Sequence, residues 1–102
     1  MNKRLFLAKK YYLVVGDRFE LFYRGVVKAI NPYQYFIKVT CDKGKPYPRY
    51  FMFLPEEKDV GEYDMQIDLV NDDGEIVESG KTTLIVNKPE QPERTVNILC
   101  IG

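Results

Sequence analysis

The side chains that could act as nucleophiles are few. Ser79 is the only serine, Cys41 and Cys100 are the only cysteines, and the chain has no histidine. Catalysis by serine or cysteine usually needs an imidazole that takes the proton from the attacking group. Neither a Ser-His-Asp triad nor a Cys-His pair can be assembled from these residues. The sequence therefore predicts that this chain is not an enzyme.

Metal chemistry is restricted for a similar reason. Two cysteines cannot supply three or four zinc ligands without imidazole, and their spacing fits no metal or redox motif. An acidic turn around Asp73-Gly74 offers oxygen ligands for calcium. The first ligand of an EF-hand loop would then fall on Leu69 or Val70, and the closing ligand near Gly80 instead of a glutamate. We expect two free thiols, no metal and no cofactor.

Length and charge fit one globular domain. The chain has 102 residues, 45% of them hydrophobic, with 15 basic and 15 acidic side chains. Residues 1–51 carry 11 basic and three acidic side chains, whereas residues 52–102 carry four and 12. We expect both halves to contribute strands to the same sheets, so that these charges mix; an electric dipole is the alternative. A net charge of zero argues against a nucleic-acid partner.

The N-terminal residues contain no targeting signal. Only residues 5–8 of the first ten form an apolar run, which is too short for a signal peptide or a membrane span. The sequence therefore predicts a cytoplasmic location and no membrane partner.

Alternation with period two recurs along the chain and is typical of half-buried strands. Tyr63, Met65, Ile67 and Leu69, for example, alternate with polar residues. Short turns separate such runs, among them residues 42–48. The pattern predicts an all-β, immunoglobulin-like antiparallel β-sandwich of about seven strands. The runs that we interpret as strands span residues 11–15, 18–23, 26–30, 34–41, 48–54, 62–70, 75–78 with 81–86, and 95–101.

The immunoglobulin-like interpretation depends on one short motif. Residues 59–65 resemble the pattern Asp-x-Gly-x-Tyr-x-Cys of that fold, with Met65 in place of the cysteine. Asp59 begins this motif, Gly61 would permit the tight turn, and a buried Tyr63 would bond through its hydroxyl to backbone of the loop that enters the strand, as in a tyrosine corner. The alternative is a plain strand whose tyrosine belongs to the core.

Eight tyrosines and six phenylalanines suggest a second function. Tyr33 and Tyr47 lie near proline and lysine and have no assigned core face. They could stack against sugars or single-stranded nucleic acid. The alternative is that aromatic rings fill the core and cover the ends of a sandwich that lacks tryptophan.

The character of the sequence changes near its end. Residues 89–94 are polar and contain two prolines, a composition typical of a semi-rigid linker. Residues 95–101 are an almost continuous apolar run, as in a parallel strand buried on both faces. We expect the sandwich to span residues 1–88. The run should lie outside the sandwich core, either without fixed structure or added to a sheet edge.

Two segments carry a resemblance to a known family. Residues 98–102, Ile-Leu-Cys-Ile-Gly, resemble the first strand of SGNH (GDSL-type) hydrolases, in which such a strand leads into Asp-Ser with the nucleophilic serine. Residues 5–88, especially 11–39, are similar to β-sandwich domains that precede these hydrolases in bacterial proteins. The Asp-Ser pair, the oxyanion-hole Gly and Asn, and the distal Asp-x-x-His of the family are missing, so no catalytic role is transferred.

The resemblance implies a non-catalytic accessory module of an SGNH-type esterase or lipase-like hydrolase. Residues 95–102 would then be the truncated first strand of the hydrolase domain. The implied partner is the C-terminal hydrolase domain of the same protein, and the implied roles are domain packing, shaping of substrate access, or self-association as a homo-oligomer. A carbohydrate-binding or oligonucleotide-binding module that uses exposed tyrosines is the alternative.

Overall fold

The computed structural model describes residues 4–24, 35–89 and 96–102. Within these ranges the chain is all-β, with eight strands and one short 3-10 turn at Glu57–Asp59. The strands are β1 (Lys10–Val14), β2 (Arg18–Phe22), β3 (Phe36–Thr40), β4 (Lys45–Pro46), β5 (Tyr50–Phe53), β6 (Gly61–Val70), β7 (Ile76–Asn87) and β8 (Val96–Cys100).

The strands form two four-stranded sheets that pack as a sandwich. Sheet A has the order β1-β7-β6-β3, and sheet B has the order β4-β5-β2-β8. Two pairs are parallel, β1 with β7 and β2 with β8, and the other neighbours are antiparallel. The predicted all-β sandwich is confirmed, with eight described strands where about seven were expected and with two parallel pairs among the antiparallel ones. Two strands that a tight turn connects must run antiparallel. Strands β1 and β8 pair with strands distant in the sequence, so no turn fixes their direction and they can pair in parallel.

The core lies between the sheets and is built mainly from alternate residues of β1, β2, β3, β5, β6 and β7. This follows from strand geometry, because successive side chains point to opposite faces of a sheet. The buried members from sheet B are Phe19, Leu21, Phe51 and Phe53, and those from sheet A are Leu13, Ile37, Met65, Ile67, Leu69, Leu84 and Val86. The predicted alternation of β6 is therefore confirmed.

The strand order corresponds to that of immunoglobulin-like domains. Sheet A places β3, β6 and β7 side by side, as strands C, F and G lie in that fold, and sheet B places β4, β5 and β2 as strands D, E and B lie. The position beside β2, which the first strand holds in that fold, is taken here by the last strand, β8.

Strand boundaries differ from prediction at two places. The predicted runs 75–78 and 81–86 form the single strand β7. Gly80 lies within it, where a Cβ atom would come 2.6 Å from Cδ1 of Leu7, so the missing side chain makes room for Leu7. Strand β4 lies in the segment predicted as a turn. The predicted strand 26–30 and Tyr33 lie outside the described residues.

The C-terminal run belongs to the sandwich. Strand β8 pairs with β2 along its full length, which confirms the prediction that this run adds to a sheet edge. The prediction that it lies outside the core is wrong at Ile101, which is completely buried. Ile101 N–H donates to the carbonyl of Phe22, and its own carbonyl accepts from Phe6 N–H. Strand β8 is therefore joined to sheet B by both the β2 ladder and the buried Ile101.

Candidate interaction surface

The motif at residues 59–65 forms a tyrosine corner. Tyr63 Oη donates to the carbonyl oxygen of Asp59 at 2.8 Å. Gly61 has a φ of +146°, a backbone conformation that residues other than glycine rarely adopt. Met65 is buried in the core, as its position in the motif predicts, whereas Tyr63 is only half-buried. These four residues therefore position the start of β6.

The Asp59 carboxylate holds two further groups at this corner. Its Oδ2 accepts the backbone N–H of Glu56 at 2.8 Å, and its Oδ1 lies 2.9 Å from Lys43 Nζ. These two contacts, the N–H of Glu56 first, lower the pKa of Asp59, and the hydrogen bond to Asp59 raises the pKa of Lys43. Lys43 Nζ also lies 5.6 Å from the centre of the Tyr63 ring. These contacts tie the corner to the loop that contains Lys43 and favour the ionised form of Asp59.

Sequence reasoning missed Lys43 because no local pattern connects it to Asp59. The neighbouring residue Gly44 has a φ of +81°, and a Cβ atom there would come within 2.3 Å of the buried Phe51 ring. This close approach of backbone to ring brings Lys43 near the corner. A glycine directly after a lysine in a predicted turn is the only sequence signal for it.

The only serine is part of a structural hydrogen-bond network. Ser79 Oγ donates to Asp68 Oδ1 at 2.6 Å, and the Gln66 side-chain amide donates to the same oxygen at 3.0 Å. Both hydrogen bonds, that of Ser79 first, lower the pKa of the buried Asp68. A carboxylate with a lowered pKa is a weaker base than an ordinary one.

The two thiols are free, as predicted. Burial raises the pKa of the half-buried Cys41, which reduces the fraction of thiolate and therefore its reactivity. Cys100 is exposed on β8, and its Sγ lies 3.4 Å from the carbonyl oxygen of Gly102. Neither thiol has a neighbouring imidazole, because the chain contains none.

A groove of about 500 Å³ crosses the outer face of sheet B. Phe22 and Tyr50, which are directly opposite each other on β2 and β5, contribute aromatic side chains to its lining, and Ile98 contributes from β8. The groove is also lined by Arg18 and Glu20, whose side chains form an ion pair in which both hydrogen bonds use Oε1 of Glu20. Oε2 of Glu20 takes no part in this pair.

Tyr47 extends the aromatic surface beside this groove. Its ring stacks on that of Tyr50, with centroids 4.3 Å apart and an angle of 12° between the planes. The sequence singled out Tyr47 as a stacking residue, whereas Tyr50, which also lies near proline and lysine, was assigned to the core by alternation, and Phe22 was not considered for stacking. Both belong to alternating strands, and alternation alone does not show which face of a strand lies outside.

Strand β8 adds exposed apolar surface next to the groove. Val96 and Ile98 are 58% and 55% exposed on its outer side, and Leu99 is 41% exposed on the side that faces sheet A. A short strand with apolar side chains exposed on both sides is typical of a surface that contacts another polypeptide. We name the surface formed by Phe22, Tyr50, Val96 and Ile98 the sheet B patch.

A scan against protein-family models and a search of curated proteins both found no match. Among the residues that the structure describes, no helix is long and apolar enough to cross a membrane. The same residues contain no group of three or more His, Cys, Asp or Glu side chains that could hold a metal ion.

Proposed function

We propose that this chain is a non-catalytic accessory β-sandwich module of an SGNH-type hydrolase and that it packs against the hydrolase domain through the sheet B patch. The observation that carries this proposal is the exposure of apolar and aromatic side chains together on one sheet face. Exposed apolar side chains that cluster in this way gain free energy when a second protein surface removes them from water.

The non-catalytic part of the proposal is supported by the chemistry of the nucleophiles. Ser79 donates to a carboxylate with a lowered pKa, and Cys41 has a raised pKa. We expect no multiple turnover of an activated ester by the chain alone. Cys100 is exposed and could be acylated once, so the Cys100→Ala variant should remove any stoichiometric burst. Sustained turnover by protein free of contaminating esterase would overturn this part.

The packing part of the proposal is tested with the neighbouring domain itself. The gene sequence downstream of the Gly102 codon should encode Asp-Ser and a later Asp-x-x-His, and the hydrolase domain can be produced separately from residue 95 onward so that it keeps its expected first strand. Binding of the 102-residue chain to it should be saturable in calorimetric titration. The Tyr50→Lys variant should weaken binding at least about tenfold, because it places a charge within an apolar contact.

The matched control is Tyr12→Lys, which changes an exposed tyrosine on the outer face of sheet A. It should bind as the wild type does. Equal loss of binding in both variants, or no binding by the wild type, would overturn packing through the sheet B patch. A downstream sequence without the Asp-Ser motif would overturn the assignment to an SGNH-type hydrolase.

A second function, carbohydrate binding, is favoured by the stacked pair Tyr47 and Tyr50 beside the groove. Aromatic faces pack against the C–H groups of a sugar ring, and Oε2 of Glu20 could accept a hydrogen bond from a sugar hydroxyl. Titration with a panel of oligosaccharides tests this function. Saturable binding that Tyr50→Ala abolishes and Tyr12→Ala preserves would support it, and no binding to the panel would exclude these sugars as ligands.

A further inference from the structure

The four edge strands of the two described sheets differ in how they are protected against pairing with another chain. Lysine and proline on an edge strand oppose such pairing. Strands β1 and β3 carry Lys10 and Lys38, and the two-residue strand β4 consists of Lys45 and Pro46. Strand β8, Val-Asn-Ile-Leu-Cys, carries neither a charge nor a proline. Of these four edges, β8 is therefore the one that carries neither a lysine nor a proline.

The register of β8 determines which of its backbone groups face the free edge. Ile101 N–H donates to the carbonyl of Phe22, and Phe22 is paired with Cys100. In a parallel ladder, alternate residues of a strand direct both backbone groups to the same neighbour. Leu99 and Asn97 therefore bond to β2. The N–H and C=O groups of Val96, Ile98 and Cys100 point away from β2.

These outward groups are self-complementary. If a second β8 approaches antiparallel with Ile98 opposite its own copy, Val96 lies opposite the Cys100 of that copy. All residues with outward backbone groups then pair with each other, as a two-fold axis requires. The outer side chains that meet are apolar, and the inner side chains that meet are Asn97 and Leu99.

We propose that two copies of this chain associate by antiparallel pairing of their β8 strands, which joins the two B sheets into one continuous eight-stranded sheet. The association would bury part of the exposed surface of Val96, Ile98 and Leu99. It would also pair the outward backbone groups of Val96, Ile98 and Cys100, for which the described sheet supplies no neighbouring strand.

Charge favours a second copy as the occupant of this edge. Residues 96–102 contain no charged side chain, so no like charges meet across the two-fold axis. The net charge of the whole chain is zero, so two copies do not repel each other at long range. This inference goes beyond the proposed function, since it is measured on the chain alone and needs no hydrolase domain.

Sedimentation of the full 102-residue chain from about 1 µM to about 1 mM tests the proposal, because this range brackets the dissociation constants of weak to moderate dimers. We expect a monomer–dimer equilibrium. The amide protons of Ile98 and Cys100 should exchange more slowly as the concentration rises, because they become hydrogen-bonded in the dimer. A chain that remains monomeric at the highest concentration would overturn the proposal.

Two substitutions separate edge pairing from other association. Ile98→Pro removes an N–H that points to the free edge and is not used by β2, so it should give a monomer. Val96→Lys leaves the backbone intact and should raise the dissociation constant at least about tenfold, since edge lysines oppose pairing. If Ile98→Pro does not fold, Val96→Lys alone decides the outcome.

The matched control is Ile76→Lys, because Ile76 is 58% exposed, as Val96 is, but lies on β7 in sheet A. It should dimerise as the wild type does. Equal weakening by Ile76→Lys and Val96→Lys would overturn the proposal. A dimer without protection of the Ile98 and Cys100 amides would also overturn it, since the contact would then be made by a sheet face.

Discussion

The hydroxyl of Tyr63 donates a hydrogen bond of 2.8 Å to the carbonyl of Asp59. This bond links the start of strand β6 to the 3-10 turn that precedes it. The carboxylate of the same aspartate binds Lys43, which precedes β4. One residue thus connects the corner of sheet A to the loop that leads into sheet B. This connection orients the sandwich end that lies beside Phe51, whose ring packs closely against Gly44.

The first prediction concerns the corner hydrogen bond. Tyr63→Phe removes one half-buried hydroxyl and should lower the free energy of unfolding by about 1 kcal/mol. Urea unfolding measures the change. Tyr12→Phe, at a tyrosine that is 67% exposed, is the control and should change the free energy by less than about 0.5 kcal/mol. Equal unfolding midpoints for Tyr63→Phe and the wild type would contradict a stabilising corner.

The second prediction concerns acid stability. The pKa of Asp59 lies below its ordinary value of 3.8, because the backbone N–H of Glu56 and then Lys43 favour the carboxylate. Its contribution to stability is therefore complete above the unfolded pKa and is lost as pH falls through the lowered folded pKa. The difference in unfolding free energy between wild type and Asp59→Asn should be constant from about pH 5 to about pH 9 and shrink below about pH 4.

The wild type must be compared with Asp59→Asn because a second aspartate, Asp68, also has a lowered pKa. Protonation of Asp68 destabilises both proteins in acid, so its effect cancels in the difference between them. In a Lys43→Met background, the effect of Asp59→Asn at neutral pH should be smaller, since one of the two partners of the carboxylate is gone. A difference between wild type and Asp59→Asn that grows as the pH falls would contradict the assigned sign.

The sequence predicted those features that depend on neighbours in the chain. Strand β6 buries one face, so Met65, Ile67 and Leu69 recur at every second position and reveal it. The corner joins residues four apart, and its motif is therefore visible in the sequence. Lys43 could not be found in this way, because its contact with Asp59 forms only after the two sheets pack.

The same reasoning explains the errors on β7 and β8. In the sequence, Gly80 indicates a break in the strand. The structure shows that the glycine makes room for Leu7, which lies more than 70 residues earlier and could not be connected with it from the sequence. The unbroken apolar run of β8 indicates burial on both faces. Because β8 is an edge strand, its residues Val96, Ile98 and Leu99 remain exposed, and burial begins only at Ile101, directly after the strand. Periodicity reports burial only where a strand has one covered and one open face.

The third prediction concerns a buried hydroxyl. Thr82 is buried in β7, and its Oγ1 has no hydrogen-bond partner among the described residues. Burial of an unpaired hydroxyl opposes folding, so Thr82→Val should leave stability unchanged or raise it by up to about 1 kcal/mol. Thr82→Ser keeps the hydroxyl and removes a buried methyl group, so it should lower stability by about 1 kcal/mol. If thermal unfolding shows Thr82→Val to be the less stable of the two variants, the hydroxyl has a partner in solution.

The fourth prediction concerns the C-terminal strand. Ile101, which directly follows β8, is completely buried and its N–H donates to the carbonyl of Phe22, whereas Ile98 within β8 is mostly exposed. Ile101→Ala should therefore lower the free energy of unfolding by about 2 to 5 kcal/mol, as for other core isoleucines. Ile98→Ala, the matched control, should cost less than about 1 kcal/mol in dilute protein.

Removal of residues 94–102 tests the same assignment on a larger scale. Because this deletion takes both Ile101 and the β8 ladder from sheet B, it should lower the urea midpoint at least as much as Ile101→Ala does. Dilute protein must be used for both measurements, since dimer formation through β8 would add to the stability of the intact chain. An unchanged midpoint after the deletion, together with a neutral Ile101→Ala, would mean that β8 does not belong to the folded sandwich in solution.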